Sequence, residues 1–409
     1  MLIAVTLGLV SCGQSSEKAE NSEPIKVGVL FSQTGTMRNS ELPVLRSVLM
    51  AIDQINQEGG LLGRPLKPVI ADGGSDPALF ASGAEALLDD GVAVIFGCWT
   101  SSSRKAVIPV LETRDGLLFY PLQYEGVETS PQVVYAGASP NQQIIPAVSW
   151  AMEHLGTRVF LVGSDYVFPR VAHAIIRDQV EALGGEVVGE AYLPLGSDQV
   201  SEVIQVIKAT QPTFILNTIN GDSNQAFFRG LRAAGITPAT IPVISFSLGE
   251  SELSALSIPQ AEGDYAAWTY FQTIDSAANR RFIRDYQTLH GADQVVSDPM
   301  EAAYSAVLLW AQAVRASGST VPVSVRTELP RQSVEGPGGW VYLDARSGHF
   351  FKTPRIGKIK ADGQFEIIWE SDVPVRPVPY PLFRTAGEWD DFTQNLYRTW
   401  GNQWTAPQP

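Results

Sequence analysis

From Ile25 onward the chain alternates short apolar runs with longer amphipathic stretches, a rhythm that few folds satisfy. The run IKVGVLF at 25–31 has the character of a strand. Val44, Leu45, Val48, Leu49, Ile52 and Ile55 then recur at helical spacing over 43–58, and Gly59-Gly60 ends that helix. Strand followed by helix, repeated, is the signature of parallel strands with helical crossovers. Further strands at 66–71, 92–96 and 117–120, with helices near 77–89 and 101–112, complete one doubly wound lobe by about residue 138. Helices at 141–154, 170–183, 199–209 and 223–234 then alternate with strands at 158–162, 186–192, 213–217 and 242–246, giving a second lobe of the same α/β type.

Two lobes also suit the length, since 409 residues exceed what one core usually supports. After residue 265 the alternation weakens, and two helical segments, 276–289 and 298–316, precede a β-rich stretch to about 370. A chain that adds such elements late can complete both sheets by crossing between lobes more than once, and several crossings make a hinge. The Pro- and Trp-rich end, PVRPVPYPLF and then WDDFTQNLYRTWGNQW, reads as a strap and tail on the surface.

Composition removes several classes of function. With 29 basic against 43 acidic side chains the net charge is −14, which repels phosphate backbones and makes nucleic acid an unsuitable partner. His154, His173, His290 and His349 lack metal-ligand spacing, so neither a metal nor another cofactor is expected. The first residues, MLIAVTLGLVSCGQ, are a short apolar run ending in Leu-Val-Ser-Cys, the shape of a bacterial lipoprotein signal. Cys12 is the expected lipidation site, and the polar stretch SSEKAENSE would then be a tether that holds the protein outside the cytoplasm. No Lys or Arg precedes the apolar run, as it would if the true start lay further upstream. Cys98 is left without a disulfide partner, so stability must come from a large core.

In open α/β sheets ligands bind beyond the carboxyl ends of strands, where loops enter helices. In the first lobe those loops are Gly97-Cys98-Trp99-Thr100-Ser101-Ser102-Ser103-Arg104-Lys105 and Tyr120-Pro121-Leu122-Gln123-Tyr124-Glu125-Gly126. Helix-start N–H groups and the hydroxyls of Thr100 and Ser101 can hold a carbonyl or carboxylate oxygen, with Trp99 as a flat wall; a Ser or Thr that merely caps the helix is the plainer alternative. Tyr120 and Gln123 stand beside them. The second lobe offers Tyr166 in GSDYVFPR, Asn220 and Asp222 in NTINGDS, Glu250 after Phe246-Ser247-Leu248-Gly249, and Trp268 in DYAAWTYF. Rings, hydroxyls and amides with a few acids and no cluster of cations suit a small, neutral, polar molecule. An amino acid would need partners for both its carboxylate and its ammonium, for which Ser101 with Asp222 or Glu250 are the candidates.

Taken together, FSQTGTM (31–37), INQEGGLLGRPL (55–66), GCWTSSSRKAVIPVLE (97–112), LLFYPLQYEG (117–126), GSDYVFPR (163–170), AAWTYFQ (266–272) and RIGKI with DGQF (355–365) resemble the type I periplasmic binding proteins. The branch resembled contains the urea-binding component of urea ABC transporters and the short-chain amide sensor. The resemblance covers Ile25 to about Pro381. It implies two lobes joined by a three-crossover hinge, divided as 24–138 plus 267–346 and 139–266 plus 347–385, with 1–23 a signal and tether and 386–409 a tail. It also implies that Trp99, Thr100, Ser101, Tyr120 and Gln123 of one lobe and Tyr166 of the other hold an amide, and that permease and ATPase subunits are the partners. Trp99 and Gln123 resemble the urea binders; the amide sensor tends to have Tyr and Pro there, and is cytoplasmic. Leu122 departs from the expected small or β-branched residue.

The resemblance therefore implies a periplasmic, lipid-anchored receptor that passes urea to an ABC permease, with short amides or branched-chain amino acids as alternative ligands. A hydrolase is the competing class, because Gly221-Asp222-Ser223 superficially resembles a nucleophile block. Such enzymes need an Asp-x-x-His to activate the serine, and none of the four histidines has Asp three residues before it. Replacing Cys12 with Ser in a chain expressed with its native start is expected to shift the protein from the detergent phase to the aqueous phase. A wild type already in the aqueous phase, with no incorporated fatty acid, would remove the anchor.

Overall fold

The computed structural model describes residues 23–255 and 257–407, so Cys12 and the expected tether lie outside the described residues. Strands β1 (Ile25–Phe31), β2 (Leu66–Asp72), β3 (Ile95–Gly97), β4 (Leu118–Tyr120) and β5 (Val133–Tyr135) are parallel and build the first sheet. The chain then leaves for β6 (Arg158–Ser164), β7 (Glu186–Leu193), β8 (Phe214–Thr218), β9 (Val243–Ser245) and β10 (Tyr265–Trp268), the parallel part of a second sheet. It returns for β11 (Ser333–Gly336), β12 (Gly339–Asp344) and β13 (His349–Phe350), and crosses again to β14 (Arg355–Ile359) and β15 (Phe365–Glu370). The sheet orders are β11-β12-β13-β5-β4-β3-β1-β2 and β15-β14-β10-β9-β8-β6-β7. Two α/β lobes are thus linked by segments 136–143, 269–276 and 351–354.

Local chemistry sets these elements. Asp76 caps helix Pro77–Asp89 by accepting from the N–H of Ala78 at 2.7 Å, with proline at the first helical position. Along β6 the side chains alternate between two separate cores: Val159 and Leu161 join one, Phe160 and Val162 the other. Residues 92–94 of the apolar run precede β3, with Ala93 and Val94 already bonded to Lys26 and Gly28 of β1. The strand alternation places β10 wholly in the second sheet and β13 in the first, so the edges at 266/267 and 346/347 fall inside or before strands that set the crossings slightly later.

The chain end differs most from its sequence reading. Thr385 and Glu388 form a capping box that starts helix Ala386–Thr399. Trp389 on that helix is completely buried in the second lobe, its indole N–H donating to the carbonyl of Pro381 at 2.8 Å and its ring under the Arg384 guanidinium. Trp389 and Trp400 reflect core, while the Pro-rich stretch before the helix does run across the surface, with Val373 and Leu382 exposed. Trp389→Ala is expected to destabilise the protein by about 3–5 kcal/mol, through lost apolar burial and the cavity left by the indole. Denaturant unfolding measures this; a loss under about 1 kcal/mol would mean that the helix is a dispensable appendage.

Candidate ligand cleft

The carboxyl ends of β3 and β4 face those of β6, β8 and β9 across a cleft that is shut. Trp99 donates its indole N–H across it to Asn220 Oδ1 at 3.3 Å. The Gln123 amide reaches from the first lobe to the Phe246 carbonyl at 2.9 Å and to Ser247 Oγ at 3.0 Å. Trp99, Thr100, Ser101, Tyr120, Gln123, Tyr166 and Asn220 are all buried. Cys98 immediately precedes them with φ of 67°, a left-handed conformation that turns the chain sharply between β3 and the helix. Its thiol is pushed up by burial and then by the nearby Glu41.

The hydrogen-bonding capacity of these residues can be counted. Thr100 Oγ1 accepts from Ser103 N at 3.1 Å and from the Ser102 hydroxyl at 3.0 Å while donating to Ser103 Oγ at 3.1 Å, so it is fully occupied as the cap of helix Ser101–Arg114. The Tyr120 hydroxyl donates to the Trp99 carbonyl at 2.6 Å, leaving an oxygen whose accepting capacity the Arg104 guanidinium already draws on. Both amide hydrogens of Gln123 are spent across the cleft, and its buried Oε1 has no partner among the described residues. Two free donors also stand here: the backbone N–H groups of Ser101 and Ser102 find no acceptor among the described residues, as expected for the first turn of a helix.

Behind this wall lies a charge network that the sequence reading did not include. Arg104 donates to Glu128 at 2.8 Å and to Glu125 at 3.2 Å, and Lys105 pairs with Glu128 at 2.6 Å. The guanidinium lies 4.7 Å from the Tyr120 ring centre and 4.6 Å from that of Tyr124. Burial alone would raise Glu128, but Arg104 and Lys105 outweigh it and hold the group down at about 2. The legible signal was Arg104-Lys105 near the start of a helix, where the macrodipole disfavours cations unless acids offset them. Tyr166 comes against this group from the other lobe; burial, then Tyr120 and Glu125, raise its phenol well above the ordinary range.

The remaining sequence candidates lie away from this wall, and Trp268 belongs to the core of the second lobe rather than to the cleft, because its indole packs among the apolar residues behind that sheet. Asp222 is exposed at the rim, accepting from Asn39 of the opposite lobe at 3.4 Å. Glu250 is buried and accepts from Gln272 N at 2.7 Å, its other oxygen unpartnered. Trp268 donates its indole N–H to the Leu248 carbonyl at 3.0 Å.

Two doubly wound lobes, a hinge crossed three times and a buried cleft between strand ends define a solute-binding receptor fold of the type I periplasmic kind. The chain belongs to the periplasmic binding protein domain family, whose model matches residues 25–386. A solute-binding protein of an ABC transporter from R. palustris, solved with 4-hydroxybenzoate, has a TM-score of 0.76 at 22% identity, over 86% of this chain and 97% of that one. Leu/Ile/Val-binding protein homolog 6 of Brucella suis biovar 1 is 24% identical over 302 residues, 70% of this chain and 76% of that protein. A 119-residue stretch is 30% identical to limonene hydroxylase of Geobacillus stearothermophilus, covering 29% of this chain and 22% of that protein. The chain therefore matches about a fifth of the length of that relative.

The buried acids give this protein a pH dependence of definite sign. Burial raises Glu41 and Glu250 from 4.5 to about 8, so in the folded state they keep protons that the unfolded chain releases above 4.5. Their contribution is fully present below 4.5 and is lost as pH rises to about 8. Glu128 acts oppositely: its contribution is present above 4.5 and is lost as pH falls towards 2. Above pH 6.5, where the buried His173 and His349 are neutral in both the folded and unfolded states, the melting temperature is expected to fall towards pH 8, and Glu250→Gln to flatten that fall. A wild-type profile that rises between pH 6.5 and pH 8 would contradict these assignments.

Proposed function

We propose that the protein is an extracytoplasmic receptor that closes on urea, with short amides as the next candidates, and presents it to the permease of an ABC transporter. On this reading it is tethered by lipid at Cys12 and performs no chemistry. The observation that carries the ligand is the balance of hydrogen-bonding groups. Gln123 offers an acceptor beside the Tyr120 oxygen that Arg104 draws on, while the N–H groups of Ser101 and Ser102 converge at one helix start. A carbonyl oxygen suits the two N–H groups, and the NH2 groups suit the acceptors. Urea has one such oxygen and two such NH2 groups.

A branched-chain amino acid is the second reading, favoured by the name of the Brucella suis relative. Its ammonium would need a carboxylate, but Glu125 is already matched by Arg104. Its side chain would need space, yet the two lobes already touch through Trp99–Asn220 and Gln123–Phe246.

Titration calorimetry with urea, formamide, acetamide and leucine tests the reading. Acetamide lacks one NH2, so an acceptor in the closed site goes unmatched at about 1–3 kcal/mol. It is expected to bind at least ~10-fold more weakly than urea, and leucine more weakly still. Equal or tighter binding of leucine would transfer the function to amino acids.

A further inference from the structure

We propose that Arg104 and Glu125 are positioning residues that fix the Ser101 hydroxyl as a hydrogen-bond acceptor towards the ligand, and so make the cleft select uncharged, N–H-bearing solutes over carboxylates. The inference rests on reading the cleft as a urea or short-amide site and assigns that selectivity to two residues behind it.

A serine hydroxyl has one hydrogen and two lone pairs. Ser101 Oγ hydrogen-bonds to a Glu125 carboxylate oxygen, which can only accept, and to Arg104 NH1 at 3.1 Å, which can only donate. The hydrogen is therefore committed to Glu125 and one lone pair to Arg104. What remains for a ligand is a single lone pair, which meets an N–H and repels a carboxylate oxygen.

Neither partner is free to turn. Glu125 uses its other oxygen to take Arg104 NH2 at 3.2 Å, and both side chains have 0% exposure. Arg104 is further held by Glu128 at 2.8 Å and by the rings of Tyr120 and Tyr124. Hydrogen bonds involving ions in a water-excluded site are the strong ones, so reversing the Ser101 hydroxyl would break a charge-assisted bond. Gln123 follows the same rule by spending both hydrogens across the cleft. A purely structural ion pair would steady the helix start without imposing any hydroxyl direction; the Ser101 contacts to both ions set this network apart.

The test is a double-mutant cycle in the full chain, read by calorimetry with urea, formamide, acetamide, acetate and leucine. Glu125→Gln keeps the shape but lets a side-chain amide donate to Ser101 Oγ, which frees the serine hydrogen to face the ligand. This variant is expected to bind urea roughly 10-fold more weakly, while acetate binding relative to urea rises by at least as much. In a Ser101→Ala background the same change should alter urea affinity less than about twofold, because the group through which Glu125 acts is gone. Additive losses, or an unchanged acetate-to-urea ratio, would overturn the inference while leaving urea binding by the wild type intact. A wild type that takes leucine but none of the amides overturns both the inference and the functional reading, as does one that takes none of the five. Should Glu125→Gln fail to fold by circular dichroism, Ser101→Ala decides alone: an acetate-to-urea ratio equal to that of the wild type overturns the inference, and a raised ratio supports it.

Discussion

The structure turns on two cations placed at the wrong end of a helix. Arg104 and Lys105 are the fourth and fifth residues of helix Ser101–Arg114, close to the end where backbone N–H groups already concentrate positive potential. They are tolerated because Glu125 and Glu128 approach from the loop after β4. Removing either acid would leave a buried charge uncompensated, a loss of about 3–5 kcal/mol. The same ion pairs therefore pin the 121–128 loop to the helix start and hold Tyr120, Gln123 and Ser101 in one wall. The network even reaches the end of the chain, since Lys105 lies 4.6 Å from the ring centre of Trp404. That segment donates and accepts around Tyr166: Val167 N bonds to the Trp404 carbonyl at 3.0 Å and Ala406 N to the Asp165 carbonyl at 3.1 Å.

Closure follows from the same wall. Trp99 and Gln123 present polar atoms that, when the lobes meet, find Asn220, Phe246 and Ser247. Each such hydrogen bond has a net value of about 0.5–1.5 kcal/mol, and Asn39–Asp222 adds another at the rim. A ligand that touches both lobes adds contacts in the closed state alone, and only such a difference in affinity can shift the equilibrium. Urea has four heavy atoms, which at about 1.5 kcal/mol each sets a ceiling near 6 kcal/mol. A protein that binds it usefully must already be poised to close, as the direct cross-lobe bonds allow.

The fold was legible where periodicity had one meaning. The apolar strands from Ile25 and the helical spacing of Val44 to Ile55 reappear as β1 and the helix behind it, and the repeated unit made two α/β lobes unavoidable. Crossing points were less legible, because β10 and β13 are short and their sheet membership depends on pairing with distant strands. The segment around Trp389 was misread because Pro and Trp density looks the same in a surface strap and in a helix packed on a core. In the cleft, residue types at strand ends identified Trp99, Ser101, Tyr120, Gln123, Tyr166 and Asn220 as neighbours, but not the direction of any hydroxyl. That direction is set by Arg104 and Glu125, twenty-one residues apart, and only three-dimensional contact brings it out.

The central claim is that a small N–H-bearing solute is gripped by both lobes at once. Small-angle scattering with and without saturating urea tests it most directly. The account predicts a smaller radius of gyration with urea and no change with leucine at the same concentration. A radius that stays constant while calorimetry registers urea binding would contradict the clamp and leave a ligand held by one lobe or by a protein that never opens.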